Sequence, residues 1–488
     1  MKKLETFKRL IVLLMAAVSL GGQIGIYAYY WYVHFFPSVK VLLPFWMKGH
    51  WLIVAVYAVL LFCFSNMYGG MRLGYKKIAE VTFSQVFATV IVGAITYAQL
   101  SLMVMQLYSM VDYASMMILQ IVWIVAWTMV ADYIYRHVFP ARRLLLVHGN
   151  RPIQTILDKF ATRKDKFIVK KCMHIKQGMD AIRAEALGEY DAVVVWDIDD
   201  NDRNQILKFC YGQSIRMYIM PKIPDVIMKG AEELHIFDTP MFLTREYVLS
   251  IEQRFAKRLI DLVCSLILFV IASPFMLLTA LAVKLYDGGP VLYKQVRCTR
   301  GGREFNILKF RSMRVDAEKD GVARLSSKGD SRVTPVGKFI RKVRLDELPQ
   351  LINIIKGDMS FIGPRPERPE IIKQYLEVMP EFEYRMKVKA GLAGYAQVYG
   401  KYNTTPYDKL KLDLAYIENY SVWLDLKLML LTLKVLLWPD STEGVEVNQI
   451  TALNKEKNIG KRRKSSYVGM EICKRASGYE TTASETGR

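Results

Sequence analysis

The chain has 488 residues, 52% of them hydrophobic, yet Lys and Arg outnumber Asp and Glu by 67 to 46, a formal net charge of +21. That length suggests two to four domains, and a composition both so apolar and so basic is unlike an ordinary soluble enzyme; it points to a membrane protein whose polar part meets anionic lipid, phosphate or nucleic acid. The six cysteines are scattered with no CxxC pair, which argues against a disulfide framework and a zinc site and fits a reducing cytosolic face. Histidine stops at His235, so chemistry in the C-terminal half must use another acid, base or nucleophile.

Four apolar runs come first, near 9–33, 51–68, 82–107 and 114–134. Each approaches or exceeds the ~20 residues that cross a bilayer. No small-residue cleavage site follows the first run, which therefore reads as retained. Lys2, Lys3, Lys8 and Arg9 precede it, Arg72, Lys76 and Lys77 lie between the second and third, and Arg136, Arg142 and Arg143 follow the fourth. Positive loops face the cytosol, which places the N-terminus and everything after residue 135 there.

Residues 141–250 read as a small α/β domain. "RRLLLVHGN", "YDAVVVWDIDD" and "IRMYIMPKIP" are strand-like, with a helix from Ile153 to about Thr162, and alternation of this kind predicts a parallel sheet. The first turn carries Gly149 and then Asn150, Arg151 and Pro152. A Rossmann-like domain without the GxGxxG fingerprint is not expected to bind a nucleotide.

A fifth apolar run covers 259–283. Ser273–Pro274 interrupts it, and a proline inside a helix removes a backbone hydrogen bond and bends the axis. Its flanks are basic on both sides, with Arg254, Lys257 and Arg258 before and Lys284, Lys294 and Arg297 after. A straight span would put one of these flanks outside. The expectation is a re-entrant helix that bends at Ser273–Pro274 and leaves on the side it entered. Beyond Pro439 the chain is polar and basic, with "KRRK" at 461–464, and is expected to be disordered.

The block 284–438 holds the residues with chemistry. Thr334 and Pro335 start a helix whose Val336, Phe339, Ile340 and Val343 share a face, opposite Lys338, Arg341 and Lys342. A second helix is expected to start at Asp346, with Pro349 in its first turn and the positive end of the helix keeping Asp346 ionised. Glu347 points about a quarter turn away, so the two carboxylates suit separate tasks, one as nucleophile and one as metal ligand. Taken alone, Asp346 could be only a helix cap. Around it stand Arg365 in the stiff loop "GDMSFIGPRPE", Lys309 and Arg311 in "LKFRSM", the glycine-rich "KAGLAGYAQVYGK" and Asp413 in "KLKLDLAYI". Arginine on a rigid loop suits phosphate recognition.

From 251 to 438 these segments resemble the bacterial sugar transferase family, the monotopic polyprenyl-phosphate phosphoglycosyl transferases. The resemblance rests on "KRLID", the Ser273–Pro274 break, "GGPVLYKQVR", "KFRSM", "RLDELPQLINIIKGDMSFIGPRPE" and "LDLAYIENYSVWLDLK". It implies a mainly α monotopic catalytic domain at 251–438, behind a bundle of four transmembrane helices at 1–140 and the α/β domain, in a bacterial inner membrane with catalysis on the cytosolic face. It implies transfer of hexose-1-phosphate from a UDP-sugar to undecaprenyl phosphate, release of UMP, and a first step of exopolysaccharide or capsule synthesis. Asp346 matches the nucleophile that forms a phosphosugar adduct, and Glu347 the Mg²⁺ ligand. Lys309, Arg311, Arg341, Arg365 and Asp413 match positions of the active-site region. Membrane lipids are implied as partners and nucleic acid is not; a homodimer stays open. Three places depart from the family pattern: Thr299 for a glycine, Ala390 and Ala393 in "KAGLAG" for "KPGITG", and Tyr399 with Lys401 in "YGK" for "NGR".

Two rival readings stand beside this one. Asp197 and Asp199 in "WDIDD" form a DxD-like pair that could hold a metal and a UDP-sugar for direct glycosyl transfer. A membrane scaffold that recruits polysaccharide-synthesis proteins needs no chemistry at all.

Overall fold

The computed structural model describes residues 6–39, 47–236, 238–244, 248–315, 330, 332–400 and 404–437. The basic tail and Lys401 lie outside the described residues. The described residues pack as two compact units, one ending at Met220 and the other beginning at Pro221.

The first unit opens with four long apolar helices, α1 (Lys8–Tyr30), α2 (Met47–Tyr68), α3 (Ile78–Val104) and α4 (Met110–Val138). All four are long and apolar enough to cross a membrane. Tyr57, Leu61, Val92 and Met116 fill their common core. Polar side chains bond across it: Thr89 donates to Gln23 at 2.7 Å, and Gln120 donates to Tyr57 Oη at 2.8 Å and to the Gln23 carbonyl at 3.0 Å. Between apolar helices such bonds fix which faces meet, because lipid and core side chains are equally apolar.

The same unit carries a four-stranded parallel sheet, β1 (Arg142–His148), β2 (Phe167–His174), β3 (Ala192–Trp196) and β4 (Met217–Ile219), in the order β2-β1-β3-β4. Strands β1, β3 and β4 are those expected. The edge strand β2 is additional, its apolar run being broken by Lys170 and Lys171. Gly149 serves packing: a Cβ there would meet the Asp197 carbonyl oxygen at 1.9 Å.

The second unit begins with α8 (Ile223–Gly230) and the hairpin β5 (Glu232–Ile236) and β6 (Thr239–Leu243). Grouped by composition with the sheet, α8 packs here instead, with Ile223 and Val226 against Leu410, Leu414 and Tyr416. The long helix α9 (Ile251–Asp287) follows, then the antiparallel pair β7 (Leu292–Cys298) and β8 (Glu304–Phe310), then α10 (Pro335–Lys342) and α11 (Gln350–Lys356). Strand β9 (Ser360–Ile362), α12 (Pro369–Val378), β10 (Gly391–Ala393), α13 (Tyr395–Tyr399), α14 (Pro406–Glu418) and α15 (Val422–Leu437) complete it.

Helix α9 starts at a capping box between Ser250 and Gln253 and ends at Gly288 in a left-handed conformation. Its 37 residues run through Pro274 as one element. Proline cannot donate to the Val270 carbonyl four residues back, and the Ser273 hydroxyl donates to that oxygen at 2.8 Å. Serine before proline thus replaces the bond that proline removes. One face of α9 is buried along its whole length, from Lys257 and Asp261 through Ser265, Ala272 and Thr279 to Val283. The other exposes Leu259, Val263, Leu266, Val270, Leu277 and Leu281. The basic entry is partly internal: Lys257 donates to Asp425 at 2.7 Å, to the Ile362 carbonyl at 2.9 Å and to Tyr416 at 3.1 Å. Asp261 accepts from Ser360 Oγ and the Phe361 N–H.

Candidate active site

Helix α10 begins as its residues predict. Thr334 Oγ1 accepts from the Gly337 N–H at 2.9 Å, and Pro335 takes the first helical position. Ile340 packs inward with Val283 and Phe310, while Phe339 and Val343 stay exposed. Arg344, at a φ of 59°, then reverses the chain into a tight turn, Leu345–Glu347.

This turn corrects the expected helix start. Helix α11 begins at Gln350 with Pro349 as its cap residue, so Asp346 precedes the helix and is not its cap. The left-handed Arg344 turns the Asp346 side chain into the interior, where it is 8% exposed. One carboxylate oxygen, Oδ1, is buried with no hydrogen-bond partner among the described residues. Burial, and then the neighbouring Glu347 charge, push the Asp346 carboxyl up from its usual range, while Lys309, Arg341 and Arg344 pull it back. What opposes protonation is therefore a set of cations and not a helix end.

Glu347 has the opposite balance. Arg365 donates to it at 3.0 Å and Lys309 at 3.3 Å, and Arg344 lies at 3.7 Å. Burial alone would raise this carboxyl, but these three cations together hold it well below the ordinary carboxylate range. Glu347 thus holds the direct ion pairs, while Lys309 and Arg344 act on Asp346 through their charge alone. Four cations, Lys309, Arg341, Arg344 and Arg365, surround two carboxylates, which leaves an excess of positive charge for an anionic ligand.

The loop carrying Arg365 is clamped through three successive carbonyls. Arg385 donates to that of Arg365 at 2.9 Å, Arg297 to that of Pro366 at 3.1 Å, and the Cys298 N–H to that of Glu367 at 3.0 Å. Asp413, 1% exposed, bonds Arg385 at 2.9–3.0 Å. It therefore acts through Arg385 on the loop, one step removed from Glu347. Arg311 also stands apart from the pair. Its guanidinium binds Asp287 at the end of α9, over Gly289, where a Cβ would collide with it at 2.1 Å. Arg341 donates to Ser312 Oγ at 2.7 Å and faces Asp346 electrostatically.

Arg344, Arg385 and Glu367 were not among the site residues read from the sequence, and Arg297 was read there only as a basic flank of the fifth apolar run. Arg344 had a readable signal, three residues before Glu347; Arg385, in "EYRMK", had none. Two departures from the family pattern meet each other. Thr299 Oγ1 donates to the Asp358 carbonyl and accepts from the Ala390 N–H at 3.1 Å. A glycine lacks that hydroxyl and a proline lacks that N–H, so here the two changes form a bond together. Tyr399 packs on Tyr395 with ring centroids 4.4 Å apart.

The DxD-like pair has a different setting. Asp197 is tied to Arg151, which donates to it from its backbone N–H at 3.2 Å and approaches at 3.1 Å through Nε. Asp199 sits at the start of α7 (Asp200–Gly212). Among the described residues no group of three or more His, Cys, Asp or Glu forms a metal cluster.

Comparison with known proteins places this geometry. The bacterial sugar transferase family model matches residues 252–439. A UDP-N-acetylgalactosamine-undecaprenyl-phosphate N-acetylgalactosaminephosphotransferase of Aeromonas hydrophila is 38% identical over 255 residues, 51% of this chain and 59% of that protein. A UDP-glucose:undecaprenyl-phosphate glucose-1-phosphate transferase of Escherichia coli K12 is 39% identical over 210 residues, 42% of this chain and 43% of that one. A protein of the same description from Caulobacter vibrioides is 40% identical over 190 residues, 38% of this chain and 71% of its own length. The chain spans about half the length of the first two of these relatives.

Proposed function

Because the chain belongs to the bacterial sugar transferase family, we propose that it moves a hexose-1-phosphate from a UDP-sugar to undecaprenyl phosphate through a covalent adduct on Asp346. The observation that carries this reading is the buried, unpartnered Oδ1 of Asp346 beside a glutamate held by Lys309 and Arg365. A buried carboxylate ringed by cations, with an oxygen that bonds no described residue, can serve as a nucleophile. Asp346 Oδ1 attacks the sugar-bearing phosphorus; the bond from that phosphorus to the bridging oxygen breaks, and UMP leaves with the oxygen. An oxygen of undecaprenyl phosphate then attacks the same phosphorus, the acyl-phosphate bond breaks, and Asp346 is regenerated. Lys309, Arg341 and Arg365 hold negative charge at the phosphates during both steps.

Magnesium takes one or two carboxylates and completes its shell with water and substrate phosphates; the single carboxylate available for it here, Glu347, would exchange part of its pairing with Lys309 and Arg365 for the ion. Glu347 would hold it, and the ion would neutralise the diphosphate and the leaving UMP. The DxD alternative lacks comparable support, since the family match covers residues 252–439 and leaves Asp197 and Asp199 outside it.

The four N-terminal helices anchor the chain in the inner membrane, and the catalytic unit works on the cytosolic face. Support for a re-entrant α9 comes from its ends. Lys257 and Asp261 near one end bond residues of the catalytic unit, and Asp287 at the other bonds Arg311 of the same unit. A helix of about 55 Å tied to one unit at both ends and apolar between them suits entry and exit on one side.

Incubation with a UDP-sugar and Mg²⁺ tests the chemistry. Peptide mass spectra should show a phosphosugar adduct on Asp346. An adduct on another residue, or turnover without any adduct, would overturn the covalent route.

A further inference from the structure

The second unit holds a cavity of about 490 Å³ at the N-terminal end of α9. Six cations line it, Arg254, Lys257, Arg258, Arg300, Lys387 and Lys389, against one carboxylate among the described lining residues, Asp261. It is not the Asp346 site. Arg258 donates to the carbonyls of Ile354 and Ile355 at the C-terminal end of α11, whereas Asp346 and Glu347 precede that helix's other end.

Part of this charge is engaged internally. Lys257 is paired with Asp425, Arg258 with its two carbonyls, and Asp261 with Ser360 and Phe361. Arg254 donates to the Leu249 carbonyl at 3.1 Å and, with Arg300, Lys387 and Lys389, still lines the one volume. Burial, with the neighbouring Arg258, Arg303 and Arg300 charges, pulls the Lys389 ammonium below its ordinary range. Cations gathered this closely repel one another, and an anion among them relieves that cost.

The helix adds a second feature. Arg254 and Arg258 lie one turn apart, beside a stripe of Ile251, Phe255 and Leu259 that is 51–77% exposed. A free anion would use only the cations, whereas an amphiphile uses both surfaces. We propose that this cavity binds the phosphate headgroup of an anionic membrane lipid, its chains lying along the exposed stripe of α9, at a site separate from the Asp346 centre.

The test uses the full chain in neutral detergent, titrated with dioctanoyl phosphatidic acid and followed by native mass spectrometry. One lipid should be retained per chain. Arg300 and Lys387 are exposed side chains, so the double variant Arg300→Gln/Lys387→Gln should fold and bind about thirtyfold more weakly. The charge-retaining Arg300→Lys/Lys387→Arg should bind as the unaltered chain does, and UMP release in detergent should be the same in all three. Equal binding by the Gln variant would overturn the proposal. So would displacement of the lipid by an equal concentration of inorganic phosphate, because the chains would then contribute nothing. Loss of UMP release in step with lipid binding would make the cavity part of the acceptor's own path and refute a separate site.

Discussion

Two acidic pairs in this protein look alike as residues and differ in every physical respect. Asp197 of the first unit is met by Arg151 at 3.1 Å, so its charge is balanced in place. Asp346 of the second is buried with one oxygen that bonds no described residue, while its neighbour Glu347 takes the nearest cations. A buried carboxylate with an oxygen that bonds no described residue and positive charge nearby is the better candidate nucleophile. The comparison shows that acidic spacing alone does not mark a reactive site. What marks it is how hydrogen bonds are shared between the two acids.

The largest effect should come from the idle oxygen. Asp346→Asn is expected to lower UMP release by at least about 10³-fold and to abolish the adduct, whereas Asp197→Asn should stay within about twofold. The reverse order would transfer the chemistry to the first unit. Next, Glu347→Gln removes the charge that Lys309 and Arg365 share, and turnover should fall about 10²-fold with a steeper requirement for Mg²⁺, read from a metal titration. Asp413→Asn should cost less, about tenfold, because Asp413 reaches the site only through Arg385 and the Arg365 carbonyl. Arg365 loosened in this way should raise KM for the UDP-sugar more than it lowers kcat, a split that simple loss of fold would not produce.

The smallest effect lies outside the pair. Ser273→Ala leaves the Val270 carbonyl without its replacement donor and should cost about 1 kcal/mol, seen as faster thermal inactivation in detergent. Pro274→Ala restores the backbone donor, so Ser273→Ala should cost much less in that background. An equal cost in both backgrounds would show that the hydroxyl is not standing in for the missing N–H.

Features that depend on neighbouring residues were legible in the chain. Thr334 and Pro335 announce α10, the long apolar runs announce α1 to α4 and α9, and the paired cysteine-free acids with their loop arginine announce the site. Strand β2 was missed because Lys170 and Lys171 interrupt its apolar pattern, although they lie at the sheet edge, where lysine is tolerated. The start of α11 was misplaced because Asp346 and Pro349 imitate a helix cap. The left-handed Arg344 instead turns the aspartate inward four residues before Gln350 begins the helix.

Composition, periodicity and motif spacing made the long apolar helices, the parallel sheet and the resemblance to the family legible, because each depends on residues close along the chain. Tertiary structure alone decided which acid is left unbonded, that Asp413 acts through Arg385, that Arg311 serves the end of α9, and that Thr299 and Ala390 bond each other. It also decided that cations from 254, 300, 387 and 389 share one cavity. Those outcomes join positions tens of residues apart, and only folding brings their charges within the few ångströms at which hydrogen bonding and electrostatics act.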